Sequence, residues 1–131
     1  MNCPCCSGKS YEQCCKLYHD GMLPPTALDL MRSRYSAYAL SKVSYIIETT
    51  HPQSPYFEKD VSKWEKGVRQ FCNTTRFVKL EILHPKYPDP SDPTVHFIAY
   101  LEQGAPFQLN EKSHFEKLDG KWLYLSGSFT N

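Results

Sequence analysis

Apolar positions recur along this chain with two different periods, and the change comes after Asn73. Before it the spacing is helical. Leu28, Met31, Tyr35 and Tyr38 fall on one face of a helix running to about Leu40. Thr26, with Asp29 three residues on, has the spacing of a capping box at its start. Ser41 is placed to cap a second helix through Val43, Ile46 and Ile47, which Pro52 stops near His51. Ser54-Pro55 suits a third N-terminus. Phe57, Val61, Trp64, Val68 and Phe71 mark one face of that helix, and Gly67 weakens its middle.

After Asn73 the period shortens to two. Thr75–His84 is β-prone, and Pro85–Pro93, with four prolines, is a loop. Val95, Phe97, Ala99 and Leu101 alternate with His96, Ile98 and Tyr100, as in a strand with a buried face. Gln103–Pro106 is a turn, and Phe107, Leu109, Glu111, Ser113 and Phe115 share one face of the next strand. Asp119-Gly120 is a hairpin signal. Lys121–Gly127 closes the series, with Trp122 and Tyr124 on one face. Helices followed by an antiparallel sheet make the fold class α+β.

At 131 residues with nine Tyr, seven Phe and two Trp, the chain has apolar material for one core. Residues 29–80 hold nine basic and five acidic side chains, residues 81–131 four and seven. The basic segment lacks a stripe of interleaved aromatics, which argues against nucleic acid. No run approaches about 18 apolar residues, so no transmembrane segment is expected. The start, Met1-Asn2-Cys3-Pro4, has neither the basic leader nor the apolar run of a secretory signal. Together with clustered rather than dispersed cysteines, that predicts a cytoplasmic protein.

Five of the six cysteines precede Lys16. Cys3, Cys5, Cys14 and Cys15, spaced C-x-C-x8-C-C, can set four sulfurs around one tetrahedral ion. A closed tetrathiolate site has no open position for chemistry. The expected cofactor is therefore one structural zinc ion, with Lys9, Lys16 and the amides of the Ser7–Ser10 loop offsetting its negative charge. Gly8-Lys9-Ser10 looks like the end of a phosphate-binding loop, but Cys3 stands where its first Gly belongs and no strand precedes it.

Cys3-Pro4-Cys5, Ser7-Gly8-Lys9-Ser10-Tyr11 and Cys14-Cys15 together resemble the SEC-C motif, the zinc-binding tail of the bacterial preprotein translocase ATPase and of many small bacterial proteins. Leu30-Met31-Arg32-Ser33-Arg34-Tyr35-Ser36-Ala37-Tyr38, Thr50-His51-Pro52, Ser113-His114-Phe115 and Gly120-Lys121-Trp122-Leu123-Tyr124 resemble the YchJ-like family of uncharacterised bacterial proteins. The resemblance implies a zinc knuckle over residues 1–20. It also implies a nuclear transport factor 2-like domain over residues 26–131, in which helices pack into a cone of curved antiparallel sheet. Position 6 is usually Gly in the motif, and Cys6 stands there here, expected as a non-ligand.

Two functions are in view. The first is a protein-interaction adaptor whose knuckle, through Lys9, Tyr11 and Lys16, contacts a protein partner. By analogy with the translocase tail, that partner is a secretion chaperone, a ribosome or a membrane surface. The alternative is a ligand-binding protein, or a hydrolase or isomerase, using the cone. Arg34, Tyr35, Tyr38, His51, Trp64, Phe115, Trp122 and Tyr124 are the expected pocket residues. Arg34 would need a partner there, either Glu111 or a bound anion. Ser113 and His114 point to opposite faces of a strand and cannot act as a catalytic pair. No catalytic residue is assigned.

Overall fold

A computed structural model describes residues 1–130; the expected last residue of the larger domain, Asn131, lies outside the described residues. A 3-10 turn, Tyr11–Gln13, leads into a short helix α1, Cys15–His19. Helices α2 (Ala27–Ala39), α3 (Val43–Glu48) and α4 (Val61–Thr74) follow. Four strands complete the chain: β1 (Arg76–His84), β2 (Thr94–Gln103), β3 (Ala105–Leu118) and β4 (Lys121–Thr130). They form one antiparallel meander in the order β1-β2-β3-β4. The fold is the expected α+β arrangement.

Register shifts bend the sheet. They fall between Phe77 and Lys79, between Ile82 and His84, and between His114 and Phe115. An unpaired residue at each forces a local bend and extra twist, which curls the sheet around the helices. Its concave face carries Val95, Phe97, Ala99 and Leu101 from β2, Glu111, Ser113 and Phe115 from β3, and Trp122 and Tyr124 from β4, all buried.

Helix α2 is the axis of the molecule. Its buried residues, from Ala27 to Ala37, lie on nearly every side rather than along one stripe, as expected of a helix surrounded by protein. Cys3, Cys5, Tyr11 and Cys15 share one apolar core with Leu30, Met31, Tyr35 and the sheet residues. Thr26 caps α2, its hydroxyl accepting from the amide of Asp29.

Three details depart from the sequence expectations. Ser41 does not cap α3. It closes α2 with a positive φ of 58°, and the amides of Ser41 and Lys42 return to the carbonyls of Tyr38 and Ala37. That is a Schellman ending, with Ser41 in the place glycine usually takes. The third helix begins at Val61 rather than at Ser54-Pro55. Ser54 instead initiates a turn, with its carbonyl taking the Phe57 amide, and Asp60 is the true cap through the amide of Lys63. Gly67 does not split α4, which is continuous, while Val61, expected on the buried face, is exposed.

The tail of α3 is stitched to β4. The Tyr124 amide donates to the Thr49 carbonyl and the His51 amide to the Tyr124 carbonyl, both at 2.8 Å. This parallel bridge sets Tyr124 against the C-terminal end of α3.

Candidate functional site

The N-terminal fifteen residues wrap back on themselves. The Cys3 amide donates to the Lys9 carbonyl, the Cys6 amide to the Cys3 carbonyl and the Tyr11 amide to the Met1 carbonyl. This brings the sulfurs of Cys3, Cys5, Cys14 and Cys15 within 4.8 Å of one another. Cys5 and Cys14 Sγ stand 3.7 Å apart, and Cys14 and Cys15 Sγ 4.0 Å. All are free thiols, and three of the four are buried. Four clustered soft donors of this kind can bind a metal ion.

Polar groups surround the cluster. Ser7 Oγ lies 3.2 Å from Cys14 Sγ, and Ser36 Oγ, on α2, lies 3.4 Å from Cys3 Sγ. Arg32 donates through Nη1 to the Cys5 carbonyl at 2.7 Å, tying the loop to α2 and setting a positive charge beside it. The hydrogen bond from Cys15 favours the Cys5 thiolate, and with Ser7, Cys3 and Arg32 it outweighs burial and lowers the Cys5 pKa to about 4. Cys15 is pushed up, first by giving that hydrogen bond and then by burial. Burial raises Cys14. Without a cation the cluster thus favours a thiolate at Cys5 while Cys14 and Cys15 hold their protons, so metal binding displaces protons.

Cys6 is exposed, outside the four-sulfur cluster, and has a φ of 63°. Tyr11, expected to face a partner, is buried instead. Its hydroxyl donates to His19 Nδ1 at 2.7 Å, and His19 Nε2 donates to the Ser33 carbonyl at 2.8 Å. This relay also holds the knuckle to α2. Lys9, Lys16, Leu17, Met22 and Leu23 are all exposed, and Lys16 is paired with the exposed Asp20.

A second site lies inside the cone. A cavity of about 420 Å³ opens between α2, α4 and the sheet. Its walls are mainly rings, among them Tyr35, Tyr38, Trp64, Phe71, Phe77, Phe97, Phe115 and Tyr124, with Tyr56 and Phe129 exposed nearer solvent. Two buried groups of opposite charge also border it, Arg34 and Glu111. Arg34 donates from Nη1 to the Ile46 carbonyl at 3.0 Å and to the hydroxyls of Thr49 at 2.8 Å and Thr50 at 3.2 Å. Its guanidinium carbon lies 4.8 Å from the centre of the Tyr124 ring. Glu111 Oε2 accepts from the Ser113 hydroxyl at 2.6 Å and from the Tyr124 hydroxyl at 2.8 Å. Burial, followed by the neighbouring Glu111 charge, pushes the Tyr124 phenol well up, which keeps it a donor.

Residues 26–127 match the model of the YchJ middle NTF2-like domain. A UPF0225 protein of Ralstonia nicotianae is 37% identical, over 98% of this chain and 91% of its own length. One from Deinococcus radiodurans is also 37% identical, over 96% and 88%. The chain belongs to the UPF0225 family. Two solved structures, each described as a SEC-C motif containing protein, have the same fold. The solution structure of the Rhodopseudomonas palustris protein matches at a TM-score of 0.82 and 34% identity, over all of both chains. The crystal structure of the Psychrobacter arcticus protein matches at 0.71 and 26%, over 98% of this chain and 82% of that one.

Within this UPF0225 chain, Arg34, Tyr35, Tyr38, Trp64, Phe115 and Tyr124 border the cavity, and two other expected pocket residues do not. His51 is buried beside it. Its Nδ1 accepts from the Gln53 amide at 3.0 Å, which leaves the proton on Nε2, 3.1 Å from Glu116 Oε1. Trp122 turns toward the segment before α2 and donates to the Pro25 carbonyl at 3.3 Å. Of the two partners expected for Arg34, Glu111 or a bound anion, Glu111 is not paired with it; hydroxyls, a carbonyl and a ring face serve Arg34 within the protein. Sequence reasoning missed Ser7, Arg32 and Ser36 around the sulfurs and Gly127 beneath Glu111. Only Gly127 left a signal, since glycine inside a strand marks close approach.

Proposed function

We propose that this protein is an interaction adaptor whose N-terminal knuckle is built on one structural zinc ion. The carrying observation is the closed four-sulfur cluster. Sulfurs about 2.3 Å from zinc in a tetrahedron stand about 3.8 Å apart, and the Cys5–Cys14 and Cys14–Cys15 separations of 3.7 and 4.0 Å suit that geometry. With four protein ligands the ion has no vacant position for substrate, so its role is to hold shape. The shape it holds presents Leu17, Met22 and Leu23 to solvent beside Lys9 and Lys16. Exposed apolar side chains among charges of both signs, Lys9, Glu12 and the Lys16–Asp20 pair, suit a protein partner with a polar rim. Thiols kept free for metal belong in a reducing compartment, hence the cytoplasm. A secretion chaperone or a ribosome enters only by analogy with the translocase tail.

The test is elemental analysis of protein purified without chelator, joined to affinity capture with intact, Cys14→Ser and Leu17→Asp forms. One zinc per chain is expected in the intact and Leu17→Asp forms, with partner recovery by the intact form alone. A metal-free intact protein, or equal capture by all three forms, contradicts the reading.

A further inference from the structure

The cone cavity holds two buried charges that do not neutralise each other. Among the described residues Arg34 makes no ion pair, and neither does Glu111. Both instead engage Tyr124, Arg34 at the ring face and Glu111 at the hydroxyl. The hydrogen bonds of Arg34 to Ile46, Thr49 and Thr50 all leave from Nη1, and the guanidinium also neighbours the Tyr38 hydroxyl, which still leaves it donors to spare. Both hydrogen bonds to Glu111 end on Oε2, so Oε1 is free to accept. These spare atoms are not fully buried, since among the described residues the buried side-chain atom left without a partner is the Tyr35 hydroxyl; they face the open cavity, where a bound group that completes their hydrogen bonding would replace solvent.

The remainder of the cavity suits a flat apolar body. Its ring-lined walls offer edges and faces for stacking, and about 420 Å³ falls in the range of small-molecule sites. Gly67 lies at the exposed rim of the cavity. It sits mid-helix in α4 and borders the cavity, yet a Cβ built there meets nothing within 4 Å. Glycine costs a helix about 1 kcal/mol relative to alanine. No steric conflict requires it, and at this exposed rim it leaves the approach to the cavity unobstructed.

We propose that the cavity binds an aromatic small molecule whose polar head carries an anionic acceptor and an amino donor side by side. The acceptor meets Arg34, the donor meets Glu111, and the ring system lies among Trp64, Phe71 and Phe77. Such a head compensates both charges at once, which neither a simple carboxylate nor a simple amine does.

The test uses three probes with one ring system: naphthylalanine, which carries both groups, naphthylpropionate, with the carboxylate alone, and naphthylethylamine, with the amine alone. Each is titrated calorimetrically into the full chain. Naphthylalanine should bind one per chain, about tenfold or more tighter than either single-headed probe, as one additional charged hydrogen bond gives. Glu111→Gln should erase its advantage over naphthylpropionate. Absence of naphthylalanine binding, equal affinity for all three probes, or an undiminished advantage of naphthylalanine in the Glu111→Gln form would overturn the proposal.

Discussion

The Glu111 carboxylate occupies the space directly over Gly127, where the Cβ of any other residue would stand. The two lie on neighbouring strands, with Gly127 paired to Ser113, which itself donates to Glu111. A glycine on β4 thus makes it possible for a carboxylate to turn inward from β3.

Gly127→Ala should therefore destabilise the protein, by about 1–3 kcal/mol, the usual cost of forcing an extra methyl into a packed site. Gly67→Ala, whose new methyl meets nothing, should stabilise it by up to about 1 kcal/mol. Urea unfolding of both variants checks the pair. Equal shifts of the same sign would contradict the structural distinction between these two glycines.

Cys6 holds a left-handed conformation without being one of the four clustered thiols. A side chain there costs about 1–2 kcal/mol that glycine avoids, partly offset by the greater freedom of glycine in the unfolded chain. Cys6→Gly should raise stability by about 1 kcal/mol and leave the metal content unchanged. A loss of bound metal in this variant would make Cys6 a ligand.

Most of the architecture was legible because its cause is local. The shift in apolar period after Asn73 marks the passage from helices to sheet, and Val95, Phe97, Ala99 and Leu101 alternate inward as their spacing requires. The four clustered cysteines were legible because their spacing is itself a constraint. The errors fall where two local signals compete. Ser41 can cap a helix by its hydroxyl or end one by a positive φ, and only the preceding turn of α2 decides. Ser54-Pro55 has the composition of a helix start, but Asp60 sits nearer the first packed residue, Trp64. The cavity was least legible. Whether Trp122 faces Pro25 or the interior depends on the curl of the whole sheet, and Arg34 reaches its hydroxyl partners because the end of α3 packs against α2.

His19 should make the attachment of the knuckle sensitive to pH. Burial lowers its pKa below the ordinary 6.5, with the bond to the Ser33 carbonyl opposing. The folded state therefore favours the neutral ring that accepts from Tyr11 and donates to Ser33. This contribution is complete above about pH 6.5 and is lost as pH falls through the lowered folded value. Urea midpoints measured from about pH 7.5 to 5.5 should fall more steeply in the parent than in His19→Asn. Parallel slopes in the two proteins would remove His19 from the account.

Metal removal should loosen the knuckle before the sheet. The bonds that anchor it run to α2, from Arg32 to Cys5, from His19 to Ser33 and between Ser36 and Cys3. None of these reaches β1 to β4, whose strands are held by their own pairing. Cys14 is the least buried of the four thiols, so serine there disturbs the core least while removing one ligand. In Cys14→Ser, or after chelation, amide hydrogen exchange should accelerate over residues 1–25 with protection retained in β2 and β3. Part of α2 should respond as well, because Ser33 and Ser36 lose their contacts there. Uniform loss of protection through β2 and β3 would instead make the ion a staple for the whole fold, as in small domains that unfold without their metal.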